Sequence, residues 1–70
     1  MDKIKNVNTH IIKLMAQIED ITGEMFHISY PDLQKEYETV ANDSDYSGLR
    51  YLYNRMCKIY DSLTMDGYNL

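Results

Sequence analysis

Seventy residues, a net charge of −4 and a single cysteine limit this chain to one small domain, residues 1–70, whose core cannot be stapled by disulfides. The two histidines, His10 and His27, stand too far apart in sequence to join Cys57 in a structural zinc site, so no metal or cofactor is expected. No apolar run approaches the roughly 18 residues that span a bilayer, and the lone cysteine without a signal-peptide apolar segment points to a reducing, cytoplasmic setting.

Asp2 is the expected N-cap of a first helix over about 3–22. Ile4, Val7, Ile11, Leu14, Ile18, Ile21, Met25 and Ile28 recur in steps of three and four, the pattern of a heptad seam. A domain this small gains from oligomerisation, so the seam from Ile4 to Ile21 is the expected interface of a homo-oligomer of open stoichiometry. Gly23 is the expected weak point of this helix. Beyond it, Phe26, Ile28 and Tyr30 alternate as a strand would, while Met25 and Ile28 continue the heptad; a helix end followed by a connector is the preferred reading of 23–30.

Ser29 as cap, Pro31 in the first turn and Asp32 behind it start a second helix over about 30–41, with Tyr30, Leu33, Tyr37 and Val40 on its apolar face. Asn42 to Asp45 is the clearest polar break. A third helix follows over about 46–63, capped by Ser44 or Asp45, its wide stripe made of Leu49, Leu52, Met56, Ile59 and Leu63 with Tyr46, Tyr53 and Tyr60 beside it. Residues 64–70, with Gly67, read as a frayed tail. The fold class is all-α: a helical hairpin or small three-helix bundle that associates through its first helix.

Charge is unevenly placed, with +2 over residues 1–18, −7 over 19–45 and +1 over 46–70. The acidic middle repels phosphate backbones, so duplex DNA is disfavoured as a partner and basic protein surfaces are favoured. Glu36, Glu38, Asp43 and Asp45 are the candidate partner-binding acids, whether as a nucleic-acid mimic or as a plain solvated face. Residues 43–48, Asp-Ser-Asp-Tyr-Ser-Gly, match the first half of an EF-hand calcium loop. The second half fails, because Arg50 stands where an apolar residue belongs and Asn54 where a bidentate glutamate is required.

Tyr51, Asn54, Arg55 and Lys58 share the polar face of the third helix, where an aromatic beside two cations could hold a nucleotide. Catalytic candidates are weak. Cys57 with His10 or His27 lacks a neighbour that activates a thiol beyond Lys58, and Asp32 with Glu36 is explained by the preference for acids at a helix start. The chain opens on Met1 without a tag and is expected to be a whole gene product. Its wealth of Ile, Asn, Lys and Tyr fits an AT-rich genome such as that of a low-GC bacterium or its phages.

Three functions stand in order of how little they demand. First is a small, acidic, non-enzymatic protein that binds a host protein, as a phage or mobile-element inhibitor or adaptor. Second is an oligomeric nucleotide-binding protein, and third a purely structural assembly element.

Overall fold

The computed structural model describes residues 2–68, and all regular structure among them is helical. Helix α1 spans Lys3–Thr22, α2 Phe26–Ser29, α3 Pro31–Asn42 and α4 Tyr46–Tyr68. Asp2 caps α1 as its position implies, its carboxylate accepting from the Lys5 amide at 3.1 Å. Gly23 ends it. With φ +75° the glycine adopts the left-handed conformation that closes a helix C-terminus, and its N–H reaches the Glu19 carbonyl at 2.8 Å.

Residues 23–30 resolve into a turn and the one-turn helix α2, whose buried Phe26 plugs the core. Met25, at the N-cap position of α2, has no side-chain acceptor to offer. The Glu19 carboxylate of α1 takes that role from outside, accepting from the Phe26 amide at 2.7 Å. Ser29 is not the cap of α3. Its hydroxyl turns toward Glu24, 3.4 Å away, and Tyr30 occupies the N-cap position with no side-chain bond. Pro31 is tolerated at the first helical position because an amide hydrogen there would have no intrahelical acceptor.

The turn between α3 and α4 satisfies both helix ends at once. Ser44 donates to the Ala41 carbonyl at 3.2 Å and Asp45 to that of Val40 at 2.9 Å, the two bonds of a Schellman motif. Such a motif needs a left-handed residue, and here it is Ser44, φ +53°, rather than a glycine. Asp45 then caps α4, its Oδ1 accepting from Gly48 at 3.1 Å. The segment resembling a calcium loop is therefore a C-cap joined to an N-cap. Gly48 sits in the first turn of a helix, whereas the sixth residue of a calcium loop makes a sharp turn. Helix α4 continues beyond 63 to Tyr68, so the expected tail is largely helical; residues 69–70 of it lie outside the described residues.

Lys3 lies near Tyr46 and His10 near Tyr53, both pairs advancing by seven residues, so α1 and α4 run parallel. Helix α3 runs back between their starting ends, with Val40 at Gly48 and Glu36 at Arg55. The core joins Val7, Ile11, Leu14 and Ile18 of α1 to Phe26, Leu33, and the Leu49, Leu52 and Met56 stripe of α4. The inner rungs of the heptad ladder are thus buried within the protomer, while Ile21, Met25 and Ile28 are exposed.

Two expectations follow. Ser44→Gly removes the left-handed penalty and raises stability by about 0.5–1 kcal/mol in urea denaturation; a loss of stability would mean that the serine hydroxyl does more than tolerate the turn. Ile18→Ala costs about 2–5 kcal/mol by cavity formation. Its urea midpoint is expected to stay fixed as protein concentration is varied, and a midpoint that climbs with concentration would mean that a second copy shares this face.

Candidate functional site

Three surfaces combine shape with chemistry. The first is the α1–α2 corner. Ile21 is 43 % exposed, Met25 59 % and Ile28 58 %, although all three continue the ladder that is buried upstream. Gly23 stops the helix there and α3 begins only at Pro31, so among the described residues these side chains are left open to solvent. Glu19, Asp20 and Glu24 line a shallow acidic cavity of about 300 Å³ with Met25 at its edge. Apolar anchors beside one sign of charge are the usual make-up of a docking patch rather than of a scattered surface.

The second surface lies between α3 and α4. An open, mainly apolar groove of about 410 Å³ is floored by Val40, Leu52 and Gly48, where an added Cβ would come within 2.8 Å of Val40 Cγ1 and 2.7 Å of Asp45 Oδ2. Glu36 and Tyr51, which line it, both meet Arg55: its Nη1 pairs with Glu36 Oε2 at 2.9 Å, and the guanidinium sits 5.6 Å from the centre of the exposed Tyr51 ring. Both partners of the ion pair are about half exposed, so water screens it and its contribution to stability is small.

This pairing joins residues that the sequence divides between two functions. Glu36 is a candidate partner-binding acid and Arg55 a candidate nucleotide-binding cation, yet each neutralises the other. Glu38 accepts from the Gln34 amide at 3.0 Å, Asp45 caps α4, and Asp43 closes α3. Three of the four acids therefore already have an intrachain partner for their carboxylates. Tyr51 keeps its place under Arg55, whereas Asn54 faces a different groove.

That third surface lies between the first turns of α1 and α4. It is a cavity of about 320 Å³ whose lining is neutral or cationic throughout, and helical spacing within α4 alone cannot reveal it because half of it comes from α1. Lys3 Nζ stands 6.0 Å and the Arg50 guanidinium 5.9 Å from the centre of the Tyr46 ring, and Arg50 Nη1 donates to the Tyr46 hydroxyl at 3.1 Å. Deeper along it, His10 meets the Tyr53 ring edge-on at 6.2 Å, held by a 2.7 Å bond between its Nδ1 and the Asn6 carbonyl. Cys57, one turn beyond Tyr53, is half-buried against the core, and its thiol pushes the Tyr53 phenol above its ordinary value.

Among the described residues no group of three or more His, Cys, Asp or Glu side chains is placed to hold a metal ion, and no helix is long and apolar enough to cross a membrane. No protein-family model, no curated protein and no solved structure matches this chain.

Tyr37 ties α3 to α1 by donating its hydroxyl to Asn8 Oδ1. Burial pushes its phenol above the ordinary value of 10.0. The folded state therefore disfavours the tyrosinate. This contribution to stability is complete below the unfolded value and is lost as pH climbs through the raised folded one. Tyr37→Phe is expected to flatten the alkaline fall in stability above about pH 10. Denaturation curves of both proteins between neutral and alkaline pH check this; parallel falls would remove Tyr37 from the account.

Proposed function

We propose that this chain is a small, acidic, non-enzymatic binding protein that docks on another protein through the α1–α2 corner, as a phage or mobile-element inhibitor or adaptor docks on a host protein. The exposure of Ile21, Met25 and Ile28 beside Asp20 and Glu24 carries this reading. Fully covering an aliphatic side chain of this size yields about 1.5–3 kcal/mol, enough for three of them to anchor an interface. The acids beside them favour a partner with basic groups around an apolar depression. A second copy of the chain is the weaker match, because a two-fold contact lays the patch on itself and sets Asp20 and Glu24 against acids of the same kind. Packing of Cys57, the chain's one thiol, against the core supports the non-enzymatic part of the reading.

Native mass spectrometry of the protein incubated with lysate of a low-GC bacterium tests the proposal. A discrete protein adduct is expected with the wild type and its loss with the Met25→Asp, Ile28→Asp double variant, whose circular dichroism should be unchanged. An adduct that survives both substitutions moves the interface elsewhere. A mass of two copies with no other protein replaces the host partner by self-association.

A further inference from the structure

The groove between the first turns of α1 and α4 has no part in the docking proposed above. Lys3 stands about 27 Å along α1 from Ile21, taking 1.5 Å of rise per residue. In a chain of net charge −4 it brings together Lys3 and Arg50, and neither side chain forms an ion pair among the described residues. Among the described residues Arg55 is the cation that pairs with a carboxylate, Glu36, so what sets Lys3 and Arg50 apart is where they stand. Lys3 and Arg50 approach one tyrosine ring from two helices, and the acids at the two helix starts, Asp2 and Asp45, serve the backbone as helix caps.

We propose that this groove binds a phosphate-bearing ligand of mononucleotide size. The phosphate lies between Lys3 Nζ and the Arg50 guanidinium, as a point charge and a planar fork complement the same anion. A planar ring packs on the Tyr53 and His10 side of the cavity, where aromatic faces accept any base, and the amides of Asn6 and Asn54 meet its polar edge. A cavity of about 320 Å³ falls at the small end of the range of ligand sites, which fits one nucleotide. A polynucleotide is disfavoured, because its further phosphates run into the acidic field of residues 19–45.

Calorimetric titration with ADP is the test, with adenosine and a short single-stranded oligonucleotide as parallel ligands. Saturable binding of ADP is expected, weakened about tenfold or more by Lys3→Ala and by Arg50→Ala. Lys35→Ala, which removes the same charge from α3, should leave it unchanged. Amide chemical shifts of the wild type, followed during the same titration, should move at Lys3, Asn6, His10, Tyr46 and Tyr53, a readout that does not depend on how the variants fold. Absence of saturable binding up to millimolar ADP overturns the proposal. So does adenosine binding as tightly as ADP, equal weakening by Lys35→Ala, or tighter binding of the oligonucleotide.

Discussion

The burial of one isoleucine-rich face of α1 against a parallel α4 is the contact on which the remaining structure depends. Ile11 and Ile18 are fully buried in one core with Leu49, Leu52 and Met56. Two helices that point the same way cannot be joined by a tight turn, so the chain must travel back before α4 can start. Helix α3 makes that return in 12 residues, about 18 Å, against about 30 Å for the 20 residues of α1. The shortfall is bridged by α2 and its buried Phe26, and what α2 does not cover is the corner where Ile21, Met25 and Ile28 face water. The same parallel arrangement sets the starting ends of α1 and α4 side by side and so creates the cationic groove. Both candidate surfaces are consequences of a single packing choice.

Periodicity made the helices and their inward faces legible, because a stripe at steps of three and four can bury itself only on a helix. Asp2, Gly23 and Asp45 marked helix ends through chemistry that acts within a few residues. Ser29 misled for a related reason: it is a good capping residue one position ahead of the N-cap, which Tyr30 occupies. The Schellman turn at Ser44 was hidden because a serine rarely adopts positive φ, and the turn is held by backbone bonds that any residue could make. The continuation of α4 to Tyr68 past Gly67 shows the limited force of one glycine near the end of a long helix.

Function was less legible than fold, because a stripe identifies a buried face without saying what buries it. The ladder from Ile4 to Ile18 has the same spacing whether its partner is α4 or another chain. Glu36 and Arg55 are 19 residues apart, beyond any helical spacing rule, so their mutual neutralisation had no signature. The groove of Lys3, His10, Tyr46 and Arg50 draws on two helices that α2 and α3 separate in the sequence. Each half, taken alone, resembles the ordinary polar flank of an amphipathic helix.

The Schellman turn also bears on how the molecule assembles. It joins α3 to α4 through three residues, so that hairpin closes at small entropic cost, whereas α1 meets α4 across more than twenty residues of intervening chain. The hairpin therefore closes early in folding and α1 docks onto it late. The first helix, for all its apolar surface, behaves as a latch on a hairpin that is already closed.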